Sequence, residues 1–227
     1  MTATLDFKNP GRRIQVGVIL LGTTEVLDVA PIDLLHGLDR KFIDTFPDFV
    51  LSPELKAQGF DFDFHWVSET GKSPSLLTSG IQLVPTDSFE TCPPLDVVLI
   101  GAAHVGYEPK ETELAFIRKV WAECSAFITI CGGMDAPLKA GILEGKTATA
   151  PLPLITSLRE QAPGTNWVEK RWVRDGKLWT SGALLNGLDL MRNFCLETWG
   201  GEEGSLVDRM LRFGAWPVRD VDYKDDI

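Results

Sequence analysis

The chain has 227 residues, enough for one large domain, and its 44% hydrophobic and 24% charged content excludes disordered and fibrous architectures. With 22 Lys and Arg against 32 Asp and Glu, the formal charge of −10 argues against nucleic-acid partners, which would need a local basic patch that the sequence does not offer. The longest apolar stretches fall well short of the ~20 residues that span a bilayer.

Met1 to Arg13 is polar and lacks the apolar core of an export signal, so a cytoplasmic location is expected, with Cys92, Cys124, Cys131 and Cys195 as free thiols. These cysteines show no C-x-x-C spacing, and no His/Asp/Glu cluster has ligand spacing, so no metal is expected. Ile14 to Leu21 is a short apolar run rich in β-branched residues. A turn-like Gly-Thr-Thr follows, then a helical pattern from about Val29 to Leu38, the opening of a βαβ unit. Residues 40–59, with Pro47 and Pro53, read as a loop or short-helix excursion. Phe60 to Val67 alternates aromatic and polar residues, the period of a strand with one buried face. Val97 to Ile100 and Phe127 to Ile130 are two further buried-type strands, separated by an amphipathic helix over Lys110 to Cys124. Such strands point to a parallel sheet covered on both faces.

Ala136 to Ala140 begins another helix, stopped at Gly141. Lys146 to Ala150 and Val168 to Thr180 read as strands, the latter split by the hairpin signal Asp175-Gly176. Leu184 to Trp199 and Ser205 to Phe213 read as helices, and the charged tail from Trp216 to Ile227 is expected on the surface. No linker divides the chain. The expectation is therefore one α/β domain over 1–227, core about 14–200: a three-layer sandwich with a mostly parallel, flavodoxin-like sheet.

The stretch most informative about chemistry is Ala126 to Met134, where a buried strand ends in Cys131, Gly132 and Gly133 follow, and a helix begins. This is the logic of a nucleophile elbow after a central strand. A thiol at a helix N-terminus is favoured as thiolate by the dipole and free N–H groups, which can also receive a developing negative charge. Cys92, Cys124 and Cys195 read as buried, inert hydrophobes. His104 stands near a strand C-terminus, where ligands gather in open α/β sheets, whereas His36 and His65 read as structural. The glycines have neither dinucleotide nor P-loop spacing, so no nucleotide cofactor is indicated.

Four segments resemble the ThiJ/PfpI superfamily, the class I glutamine amidotransferase-like fold: GVILLGTTEVLDVAPIDLL (17–35), DVVLIGAAHVG (96–106), FITICGGMDAPLKAGILEGKTAT (127–149) and WVRDGKLWTSGALLNGLDL (172–190). The Thr180-Ser181-Gly182, Gly187 and Asp189 pattern is similar to the family's signature, nearest to the branch containing isonitrile hydratases. The resemblance implies a nucleophile at Cys131 and an acidic partner after the first strand. The family's acid lies four residues before a proline, which here is Leu27; Asp28 stands three before Pro31 and Glu25 six before it. Asp28 is the favoured acid and Glu25 its rival. The family histidine falls on Ala150, and the glycine pair ending the preceding strand is Ala102-Ala103, followed by His104. Gly132, Gly133, Ala102, Ala103 and His104 are the candidate oxyanion and substrate-binding residues, with His104 a possible replacement base.

What the resemblance implies is a lyase without cofactor: a cysteine enzyme that hydrates a small isocyanide to an N-formamide, with a carboxyl proton relay and no histidine base. The alternatives are a glyoxalase-like carbonyl lyase and a non-catalytic redox-sensing or ligand-binding protein. The expected partners are a small-molecule substrate and a second copy of the chain in a homodimer, with neither nucleic acid nor membrane.

Overall fold

The computed structural model describes residues 5–224. β1 (Ile14–Ile19) is buried along almost its whole length, which is why it reads as a continuous apolar run rather than an alternation. After the short β2 (Thr23–Thr24), the expected first helix arrives in pieces: α1 (Val26–Val29), a 3₁₀ turn at Ala30–Ile32, and α2 (Asp33–Gly37). Pro31 explains the break, since it has no N–H to continue a helical ladder. The excursion at 40–59 contains α3 (Arg40–Ile43) and α4 (Pro53–Lys56). β3 (Phe62–Ser68) carries the alternating aromatics. β4 (Ser75–Leu77) and β5 (Gln82–Leu83) join β2 in a small separate sheet. β6 (Asp87–Ser88) and β7 (Val97–Ile100) follow.

α5 (Glu111–Glu123) leads into β8 (Ala126–Ile130), a 3₁₀ turn at Cys131–Met134 and the short α6 (Asp135–Lys139). The strand expected over Lys146 to Ala150 is only β9 (Thr147–Ala148), paired with β10 (Asn166–Trp167) away from the main sheet. Between them lies α7 (Leu152–Gln161), which the sequence reading did not contain. The hairpin at Asp175-Gly176 joins β11 (Trp172–Asp175) to β12 (Leu178–Ser181), and α8 (Asn186–Trp199) and α9 (Leu206–Phe213) complete the fold.

The main sheet runs β11-β12-β8-β7-β1-β3-β6, and every pairing except β11 with β12 is parallel. Counted along its five long parallel strands the order is 2-1-3-4-5, the flavodoxin-type winding. Alternate residues feed opposite cores. Val16, Val18, Leu99, Ile128 and Ile130 pack with the leucines of α2 and with α8 and α9 on one face. Ile19, Val98, Ile100 and Phe127 pack with Phe116, Ile117 and Val120 of α5 and with α7 on the other. The result is a three-layer α/β sandwich. No helix of the described residues is long and apolar enough to cross a membrane.

The tail lies on the surface as expected over the described residues, which exclude 225–227, and it is pinned there: Trp216 packs against the first core, Arg219 pairs with buried Asp189, and the backbone N–H of Arg171 donates to the Val221 carbonyl at 2.8 Å.

Candidate active site

β8 delivers Cys131 to the C-terminal edge of the sheet. Ile130 is still extended, but Cys131 turns to φ +58°, a left-handed conformation costing a non-glycine residue about 1–2 kcal/mol. Its N–H donates to the Gly182 carbonyl at 3.0 Å, tying the turn to the residue after β12. The two glycines then differ. A Cβ on Gly133 would stand 2.1 Å from the Ile100 carbonyl oxygen, so only glycine fits against the backbone of β7. A Cβ on Gly132 would meet only the Ala102 methyl, at 3.2 Å. The close approach that a tight elbow requires therefore falls at Gly133 and not at Gly132.

Asp28 and Cys131 come together here. Gly101 makes room for the acid, since a Cβ there would stand 2.8 Å from that of Asp28. Asp28 is fully buried; its Oδ2 accepts the Ala102 N–H at 2.9 Å, while Oδ1 has no partner among the described residues. Burial pushes its pKa up to about 7, the Ala102 N–H opposes this, and the charge of Glu25 adds to it. The Cys131 thiol is also raised, first by burial and next by the Asp28 charge, against the backbone N–H groups of Leu184 and Gly132. The expected thiolate-favouring environment is thus corrected. The segment after Cys131 is a 3₁₀ turn ahead of a five-residue helix, too short a dipole to outweigh burial beside a carboxyl. A second correction concerns Ala102, whose N–H is committed to Asp28 and is not free for an oxyanion. Glu25 stands further out: its N–H donates to the Ala102 carbonyl at 2.8 Å and its Oε1 accepts the Thr78 hydroxyl at 2.9 Å.

Cys131, Gly132, Gly133, Ala102, Ala103 and His104 all line one cavity of about 400 Å³, closed by apolar groups such as Leu21, Met134 and Leu154. His104 Nδ1 accepts the Thr23 N–H at 3.2 Å, so the proton of its neutral ring sits on Nε2. His104 therefore presents Nε2–H to the cavity as a hydrogen-bond donor. Its ring meets Tyr107 edge-on at 5.2 Å, and the Tyr107 hydroxyl donates to Glu113 at 2.7 Å, fixing the loop that forms this wall. At the rim, Lys139 bridges Glu108 and Asp135, each at 3.0 Å. Ala150, on the family histidine position, is buried. His65 is held between Asp87 and Gln15 at 2.8 Å each and His36 packs on Phe42; neither lines this cavity. Burial pushes the thiols of Cys92 and Cys124 up to about 12 and that of Cys195 higher still. Among the described residues no group of three or more His, Cys, Asp or Glu could hold a metal.

The sequence reading missed Leu184 and the Gly182 carbonyl. Both follow the Thr-Ser-Gly stretch, and that motif was the available signal: a glycine directly after a buried strand marks a backbone that must approach something closely.

A cysteine on a left-handed turn, flanked by glycines at the C-terminal edge of a 2-1-3-4-5 parallel sheet, defines a three-layer α/β protein built around a cysteine elbow. The chain belongs to the DJ-1/PfpI family, whose model matches residues 49–197. It is similar to isonitrile hydratase from Pseudomonas putida, 36% identical over 153 residues, and this match covers 65% of the chain and 64% of that relative. The chain thus spans just under two thirds of that relative's length. Among solved structures, a ThiJ/PfpI family protein from Pseudomonas syringae superposes with a TM-score of 0.73 at 19% identity, over 92% of this chain and 77% of that one. Drosophila melanogaster DJ-1beta superposes with a TM-score of 0.69 at 17% identity, over 91% of this chain and all (100%) of that one. These two likenesses concern the fold. The family match begins after Asp28, so the carboxyl of the site lies outside it.

Proposed function

We propose that the chain is a cysteine-dependent hydratase that converts a small isocyanide to the N-substituted formamide, with Cys131 as nucleophile and Asp28 as proton relay. The observation that carries this reading is the buried Asp28 carboxyl, with a pKa of about 7 beside a thiol that keeps its proton. A relay is most effective when its pKa lies near the working pH. In the cycle, the Asp28 carboxylate takes the thiol proton as sulfur bonds to the isocyanide carbon, and that carbon then receives the proton from Asp28. The product is a thioimidate. Asp28 next takes a proton from water, the hydroxide adds to the same carbon, and the nitrogen is protonated. Collapse breaks the C–S bond, the thiol regains its proton, and the formamide leaves. The cycle balances with substrate and water alone. The apolar cavity suits a hydrocarbon substituent, and His104 Nε2–H is placed to meet a polar atom of the ligand.

A raised thiol is poorly poised to react with peroxide, which weighs against the sensor alternative. The test is formamide production from an aliphatic isocyanide, followed by NMR, with methylglyoxal as the competing substrate. We expect isocyanide turnover whose kcat/KM rises about tenfold per pH unit below 7 and levels above it, because the carboxylate form of Asp28 is the competent one. Cys131→Ala and Asp28→Asn should each lose on the order of a hundredfold or more. Turnover of methylglyoxal alone, or full isocyanide activity in Cys131→Ala, would overturn the reading.

A further inference from the structure

Three backbone hydrogen bonds run in series from the C-terminal tail to the nucleophile. The Arg171 N–H donates to the Val221 carbonyl at 2.8 Å, the Gly182 N–H to the Arg171 carbonyl at 2.9 Å, and the Cys131 N–H to the Gly182 carbonyl at 3.0 Å. A second route runs through side chains. Arg219 donates to the Leu185 carbonyl at 2.9 Å and to both oxygens of Asp189, which is 1% exposed. Asn186 donates to the Tyr223 hydroxyl at 2.6 Å. Between the two routes lies Leu184, held at φ +29° with its N–H facing the Cys131 sulfur. A branched residue keeps such a backbone only where its surroundings over-determine it. Arg171 itself is 2% exposed; its Nε donates to the Asp220 carbonyl at 2.9 Å and its guanidinium lies 4.7 Å over the Tyr223 ring. A buried guanidinium is tolerated when hydrogen bonds satisfy it, and the tail supplies them.

We infer that residues 218–223 are a positioning strap for the nucleophile, acting through Arg171 and Arg219 on the backbone of Gly182 and Leu184. The inference rests on the reading of Cys131 as the reactive group, but not on the identity of the substrate. Arg219 and Tyr223 are positioning residues, since neither lies in the wall of the cavity that holds the thiol.

The test uses the full chain as Arg219→Gln, Arg219→Lys and Tyr223→Phe. The measurement is the rate of Cys131 alkylation by iodoacetamide from about pH 6 to 10, by peptide mass, with circular dichroism to establish folding. Without the strap the Leu184 amide drifts from the sulfur. The alkylation midpoint then moves to higher pH, and the rate at pH 7 falls roughly threefold, the effect of half a pKa unit. Arg219→Lys keeps a charge for Asp189 but cannot fork to the Leu185 carbonyl as well, so it shows the same shift with less loss of melting temperature. A merely structural role would lower the melting temperature and leave the pH profile in place. A wild-type profile in folded Arg219→Lys or Tyr223→Phe overturns the inference, and these two decide if Arg219→Gln does not fold. A shifted profile in a protein that turns over no isocyanide would sink the proposed substrate and leave the strap standing.

Discussion

Asp28 bears the main electrostatic burden of the site, and its position has a consequence for stability. Its folded pKa of about 7 lies above the ordinary 3.8, so the folded chain holds a proton that the unfolded chain has released between those values. Stability contributed by the neutral carboxyl is therefore present below about pH 4 and is lost as pH rises through 7. Asp28→Asn removes the titrating group. Its urea midpoint should change much less than wild type between pH 5 and pH 8, while wild type loses a few kcal/mol over that interval. Equal pH slopes would mean that Asp28 is not buried as described. At this scale the sequence was informative about identities and poor about states. Cys131 could be found because a strand, a cysteine and two glycines in series have few other uses. The raised thiol could not, because it depends first on burial at the elbow and next on the Asp28 charge, brought beside it from a segment far away in the chain. The family resemblance around Pro31 favours Asp28 over Glu25; in the fold Asp28 is buried, while Glu25 stands further out and accepts the Thr78 hydroxyl.

The elbow is the element on which the site depends, and its two glycines make different predictions. Gly133→Ala would drive a methyl into the Ile100 carbonyl on β7, a rigid backbone atom. We expect a loss of at least about 2–3 kcal/mol in chemical denaturation, with Cys131 displaced and alkylated at an altered rate. Gly132→Ala meets a methyl rather than a backbone oxygen, and should cost under about 1 kcal/mol. The reverse order would mean that the close backbone approach falls at Gly132 and not at Gly133. Elements with a clear period were legible: α5 and α9 fall within a residue or two of expectation, as does the Asp-Gly hairpin. α7 was not, because Pro151 precedes it, Pro153 stands in its first turn, and it buries only Ile155 and Leu158. The two- and three-residue strands of the small sheet carry no period at all.

For the whole molecule, the apolar runs revealed a parallel sheet but not its order. β1 lies inside the sheet, between β3 and β7, although it precedes the segment matched to the family. A chain starting at residue 49 would deprive β3 and β7 of the strand that joins them and would remove Asp28. Such a chain should show no cooperative thermal transition by circular dichroism; a sharp one would mean that the sheet closes without β1. The pinning of the surface tail was not legible, since the backbone carbonyls and the Tyr223 ring that meet buried Arg171 leave no pattern in the sequence. The distribution of thiols has one further consequence. Three of the four are sealed in the interior, and the fourth is half-open beside a mainly apolar cavity. The unmodified chain is thus a single-address target for mild electrophilic fragments. The scaffolds that attach to it would sketch the contours of the natural ligand before any substrate is in hand.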